Sequence, residues 1–407
     1  MKWHWVLFAG IALVAVLAIG LAAWSGGDDD EEQVTMGMTQ EQVLSNLGGA
    51  EQSPYVLIVG QATAPESWGP QLRAFDVRTG EEVLRGFVGP RRHLATDIFA
   101  LGEPPRAHIC VVLEHRKEWR TQLVALDLDD RGAAQVVRQL ELASLVLPIP
   151  VPRLGKCYVQ GQRSDFEWEY RACSLRPQGA AQADPPIDWD WIRWSLAREG
   201  SCLYITHNLQ GAPVERIDLH TDKVVARWEI RSHLWPGDIA AAPSGEKAFV
   251  SLYDEAAGRS GLFVVEPGEP RARRLGEQDA SDLGCVSSDG TTLWALNTLP
   301  TTEPAQGLLL RCRDGAVVRR FPFRSRSETG LLMGFFEVGP FHGVGVFSGT
   351  EEHPRSGGCV AVLGPAQGQV KYAYFTEFDA SGAMLARLSS EQLDALGAAL
   401  RRQDESR

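Results

Sequence analysis

Short apolar runs, each about five to seven residues long and closed by Gly-, Asp- or Pro-rich turns, follow one another from Tyr55 to Leu388. Runs that short and that frequent predict β-strands rather than helices. One strand–turn–strand line recurs seven times: LRAFDVRTGEEV, LVALDLDDRGAAQV, YRACSLRPQGAA, VERIDLHTDKVV, LFVVEPGEPRA, LLRCRDGAVV and CVAVLGPAQGQV. Its anchor residues Ala74, Ala125, Ala172, Arg216, Val264, Arg311 and Ala361 are spaced by 51, 47, 44, 48, 47 and 50. A second apolar strand precedes each anchor: YVLIVG, HICVVLE, KCYVQGQ, CLYITHN, AFVSLYD, LWALN and GVGVFSG. A repeat of about 40–50 residues with several short strands per unit cannot bury both faces alone, so neighbouring units must stack.

On this repeat, residues 53–388 resemble the broad seven-bladed β-propeller group with WD40-like and quinoprotein-like members. The expected fold is all-β, a seven-bladed β-propeller of four-stranded blades. The regular Gly-His and Trp-Asp pairs of a standard WD40 protein are missing, and the Trp-Asp at Trp189 and Asp190 is out of phase. After the seventh anchor, VKYAYFT and EFDASGAMLARLS supply extra strand material that can pair with the first unit, YVLIVG. Residues 389–407 follow as a capped C-terminal helix and tail, with Leu393, Leu396 and Leu400 on one side.

The N-terminus is of a different kind. Residues 5–24 form an uncharged run of 20, preceded by Lys2 and followed by GGDDDEE. A helix of that length spans a hydrocarbon core of roughly 30 Å. Residues 1–24 are therefore expected to be a transmembrane anchor or uncleaved signal, although Ala23 and Ser25 would also suit a cleavage site. The flanking charges put the rest of the chain on the extracytoplasmic side of the cell membrane. Residues 25–52 form an acidic linker and a short helix, capped by Thr39 and Gln42 and stopped at Gly48. Its GMTQEQVLSNLG resembles the opening helix of the SmpA/BamE family of envelope proteins, with Ala50 where that family usually has proline.

A net charge of -12 with no long basic run excludes nucleic acid as a partner, because neutralising phosphates needs a basic stripe. Seven cysteines, Cys110, Cys157, Cys173, Cys202, Cys285, Cys312 and Cys359, include no C-x-x-C pair. Most sit in apolar strands, where a thiol behaves as a small hydrophobe. Cys157 and Cys173 can face each other across adjacent strands.

Candidate chemistry falls in the loops after the second strands. Three of these loops carry an acid beside a tryptophan: Glu66 with Trp68, Glu118 with Trp119, and Glu167 with Trp168. The three tryptophans either form an aromatic ligand- or partner-binding patch or seal adjacent blades. Glu114, His207, Asn208, Asp254, Glu255 and Asn297 stand at the ends of second strands and are loosely comparable to the metal-binding residues of lactonase-type propellers. Oxygen ligands such as Glu114, Asn208, Asp254 and Asn297 suit calcium or magnesium. AFDVRTGEEV, with Ala74, Asp76, Thr79 and Gly80, resembles the repeat signature of quinone-cofactor propellers, but it is clear only once and also reads as a turn. No Ser-His-Asp elbow, P-loop or HExxH is present. The reading that follows is a noncatalytic propeller scaffold for proteins or envelope components. The alternative is a metal-dependent, lactonase-like hydrolase or a quinoprotein.

Overall fold

The structure is a computed structural model. It describes residues 53–405 apart from short segments, the longest being 175–191, 298–305, 323–330 and 349–356. The chain divides into two compact units, one centred on Asp190–Gly343 and the other on the residues up to Trp189 together with Lys371–Arg407.

The second unit opens with β1 (Ser53–Ala62), β2 (Gly69–Asp76) and β3 (Glu82–Phe87), hydrogen-bonded in that order. A four-stranded sheet follows, β4 (Leu94–Glu103), β5 (Arg106–His115), β6 (Arg120–Leu128) and β7 (Ala134–Leu142). Next come β8 (Leu145–Val151), β9 (Lys156–Gln162) and β10 (Trp168–Ser174), a sheet of three.

The first unit holds three sheets of four strands. They are β11 (Ile192–Leu196), β12 (Cys202–His207), β13 (Val214–Asp218) and β14 (Lys223–Trp228); then β15 (Leu234–Ala241), β16 (Ala248–Asp254), β17 (Arg259–Val265) and β18 (Arg273–Arg274). The third is β19 (Asp282–Val286), β20 (Thr292–Asn297), β21 (Gln306–Arg311) and β22 (Val317–Pro322). A last sheet contains β23 (Leu331–Gly339), β24 (His342–Ser348), β25 (Gly357–Leu363) and β26 (Val370–Thr376). The chain ends in β27 (Phe378–Leu388) and α1 (Ser390–Glu405).

All seven repeat anchors lie on third strands, and all seven upstream runs are second strands. In four sheets the fourth strand carries a bulge close to the anchor of its third-strand partner, with Val83, Val137, Val225 and Val318 as the extra residues. Each bulge strengthens the local twist and turns the outermost strand away. The expectation of seven four-stranded blades needs correcting. Six sheets form four-stranded blades and the β8–β10 sheet has three strands; residues 175–191, which follow β10, lie outside the described residues.

The chain's two ends meet in one sheet. β27 pairs antiparallel with β1 from Ser53↔Leu388 to Ala62↔Phe378, so the last strand is the innermost of the first sheet. Val56, Leu57, Ile58 and Val59 on β1 are fully buried, as are Ala383 and Met384 on β27. α1 packs on β3 and β7, burying Leu396 and Leu400. Its start is a reciprocal cap, with Gln392 N–H donating to Ser389 Oγ (3.2 Å) and Ser389 N–H to Gln392 Oε1 (2.9 Å).

Within the first unit, successive sheets pack face to face. Tyr204, Val214, Trp228, Val250, Leu252 and Val265 fill one seam, and Phe249, Leu262, Leu283, Leu293 and Leu308 fill the next. Each such side chain is worth about 1.5–3 kcal/mol when fully withdrawn from water, so the seams hold the unit together. Among the described residues no helix is long and apolar enough to cross a membrane. The anchor expected at 1–24 and the SmpA/BamE-like segment at 36–52 both lie outside the described residues.

Candidate functional site

The second strands of several sheets end on polar residues. In the first unit, His207 closes β12 opposite Ile192, Asp254 closes β16 opposite Leu234 and Arg259, and Asn297 closes β20 opposite Gln306. Asn297 Oδ1 is buried and has no hydrogen-bond partner among the described residues. Asp254 Oδ1 accepts the Ala257 N–H at 3.1 Å, and Oδ2 lies 3.9 Å from His233 Nε2, so much of its carboxylate serves the β16–β17 turn. Glu255 is exposed in that turn. In the second unit, Glu114 near the end of β5 is buried opposite Leu94 and Thr121. Asn208 lies outside the described residues. Among the described residues no group of three or more His, Cys, Asp or Glu side chains is placed to hold a metal ion.

Of the tryptophans, Trp68 stands 41 % exposed between β1 and β2. Trp119 lies outside the described residues, and Trp168 opens β10 opposite Gln162. The quinone-type signature folds as a turn: Asp76 Oδ1 accepts the N–H of Arg78 at 2.7 Å and of Thr79 at 3.4 Å, while Gly80 takes φ 77°. Asp218 does the same for His220 and Thr221, both at 2.9 Å, between β13 and β14. The carboxylate in this motif is thus spent on its own backbone.

Another set was not expected from the sequence. The innermost strands carry buried carboxyls at or near their irregularities. Asp238 lies in the bulge of β15, 4 % exposed, and its Oδ1 accepts a 2.5 Å hydrogen bond from Arg193 of β11. Its Oδ2 accepts the Leu283 N–H of β19 at 3.2 Å. One carboxyl therefore ties three consecutive sheets. Burial pushes it up to about 7 against the pull of Arg193, with Asp282 nearby acting in the same direction as burial. Asp97 borders the bulge of β4, against Gly382 of β27. Part of its surface reaches solvent, yet dense packing desolvates the carboxyl and pushes it up to about 8, against one favourable hydrogen bond from Ile98 N–H. Partial desolvation also raises Asp379 on β27, although that residue is exposed. The signal was present in TDIF, GDIA and SDLG, where an Asp precedes an apolar residue at roughly whole-repeat spacing.

These sheets have counterparts among solved structures. A Bacteroides uniformis protein assigned as a 6-phosphogluconolactonase superposes with a TM-score of 0.55 at 14% identity, covering 82% of this chain and 100% of that one. The periplasmic gluconolactonase of Pseudomonas aeruginosa gives 0.53 at 17% identity, over 82% and 99%. The chain is a β-propeller. Puromycin hydrolase is also similar, with a TM-score of 0.56 at 13% identity over 86% of this chain and 57% of that one. No family model and no curated protein matches the chain. Identities this low speak for the propeller scaffold alone, and chemistry must be argued from the blades' own residues.

Proposed function

We propose that this propeller is a lactonase-like hydrolase acting on a small polar ester or lactone at the rim where the second strands end. The observation that carries the reading is Asn297 Oδ1 at the end of β20, a buried acceptor without a partner among the described residues. A buried polar atom left unpaired costs about 1–3 kcal/mol, and a ligand hydroxyl or a cation would relieve that cost. His207 and Asp254 end the second strands of the two preceding blades, so polar groups recur at this position. The likeness to propellers described as gluconolactonases supports the same reading. In the reaction water adds to the lactone carbonyl, the ring C–O bond breaks, and a carboxylate and a hydroxyl result. Calcium or magnesium would supply Lewis-acid polarisation of that carbonyl, and Asn297 is the residue to hold it.

The three-stranded sheet is read as the seventh blade. Residues 1–24 are read as an anchor that leaves the propeller extracytoplasmic, on the strength of the uncharged run between Lys2 and the acidic segment. A scaffold for envelope proteins is the second reading. It is favoured by Trp68 at 41 % and Leu209 at 61 % exposure, both in loops after second strands.

The test is hydrolysis of gluconolactone by the full-length protein in a pH-stat, with calcium, with magnesium and with chelator, beside Asn297→Ala. Turnover that falls at least about tenfold in the variant fits loss of one directed polar contact. No turnover under any of these conditions would remove the hydrolase reading and leave the scaffold.

A further inference from the structure

We propose that the blade formed by β15–β18 carries a second site, a cleft that binds the phosphate group of a small soluble phosphate monoester. The cleft, about 390 Å³, is lined by Arg231 before β15, Arg259 at the start of β17, and Arg271, Arg273 and Arg274 at the outer edge. A volume of roughly 300–1,000 Å³ is the size of an ordinary small-molecule site. Its lining has five arginines against two carboxylates, Asp254 and Glu269, in a chain whose net charge is -12.

Three of the five guanidinium groups are themselves exposed and have partners: Arg259 lies 3.8 Å from half-buried Asp279, Arg271 3.3 Å from exposed Glu229, and Arg273 2.9 Å from half-buried Glu266. Exposed pairs of this kind contribute little and yield readily to a better ligand. Arg231 and Arg274 have no ion pair among the described residues. These two guanidinium groups, free of an ion pair among the described residues, match the two charges of a phosphate monoester, and each offers a planar fork to its oxygens.

The floor is built for approach. Leu252, 1 % exposed, stands opposite Gly261 across β16 and β17, and Phe263 stands opposite Arg274 across β17 and β18. A Cβ on Gly261 would lie 3.1 Å from Phe263 Cε2 and 3.6 Å from Arg274 Nε. Glycine inside a strand weakens it and marks places where something approaches the backbone closely. Here its absent side chain keeps the apolar floor open beneath the Arg274 guanidinium. An apolar floor also lowers the local dielectric and strengthens attraction between guanidinium and phosphate.

This site shares only Asp254 with the rim and requires no hydrolytic activity, so either proposal can fail without the other. Titration calorimetry on the full-length protein would use inorganic phosphate and glycerol 2-phosphate, with sodium chloride at matched ionic strength as reference. Saturable phosphate binding is expected, weakened at least about tenfold in the double variant Arg231→Gln/Arg274→Gln. Gly261→Val should weaken it as well, while Arg313→Gln on a separate exposed turn should leave it unchanged. Circular dichroism melting without phosphate should show the double variant folded. No saturable binding beyond chloride would overturn the proposal, and so would undiminished binding in the folded double variant.

Discussion

Asp97 shows how one side chain can make stability depend on pH. Its folded-state value, about 8, lies above the ordinary carboxyl value of 3.8. The folded chain therefore keeps a proton that the unfolded chain releases. The stabilisation is fully present below about pH 4 and is lost as pH rises through about 8. Asp97→Asn, which cannot titrate, should gain on the wild type as pH increases from 5 to 8.5, by at most about 1.4 kcal/mol per pH unit. Parallel melting curves at several pH values check this, and a constant gap between the two proteins would refute it. Arg193 poses the opposite case, since it holds Asp238 at 2.5 Å with only 14 % of its side chain exposed. Arg193→Gln leaves that carboxyl buried without its cation and should cost about 3–5 kcal/mol at pH 8. The loss should shrink at pH 5, where the stranded carboxyl takes up a proton. Denaturant unfolding at the two pH values measures both quantities.

Secondary elements depend on close contacts at single positions. Gly86 on β3 lets α1 dock, since a Cβ there would fall 2.5 Å from Leu400 Cβ. Gly86→Val should displace the helix and cost about 1–3 kcal/mol by overpacking. Limited proteolysis would then cut within Ser390–Glu405 sooner than in the parent. In the three-stranded sheet, Cys157 stands directly opposite Cys173 across β9 and β10. Opposed residues on antiparallel strands have Cα atoms about 4.5–5.5 Å apart, inside the range a disulfide tolerates. Secreted into an oxidising compartment, the chain should yield a linked peptide pair containing Cys157 and Cys173 without reduction. Alkylation of both thiols in unreduced protein would contradict this. Cys110, Cys202, Cys285 and Cys312 are buried thiols, so they should stay unmodified until the chain unfolds.

For the whole chain, the decisive contact joins the last strand to the first. Loss of β27 would expose Val56 to Val59 and open one blade at its innermost edge. A chain ending at Glu377 should accordingly fail to show cooperative unfolding and should aggregate, because an unpaired apolar strand edge templates further pairing. Calorimetry of the truncated protein checks the expectation, and a sharp transition at the parent temperature would sink it.

The amino-acid sequence alone determined the repeat, the all-β class, the second and third strands of every sheet, and the extra C-terminal strand that pairs with β1. All of these follow from alternation and turn residues within about 50 residues, which local sterics and burial dictate. The turn role of Asp76, Thr79 and Gly80 was legible for the same reason. Only the tertiary structure decided which polar residues are desolvated or held. Asp97 and Asp238 look like ordinary strand-end acids until a bulge and a neighbouring sheet enclose them. The arginine cleft draws its residues from Arg231 to Arg274, across four strands and their turns. Their partners and free charges are set by packing across strands and sheets, a three-dimensional sum that no local spacing records.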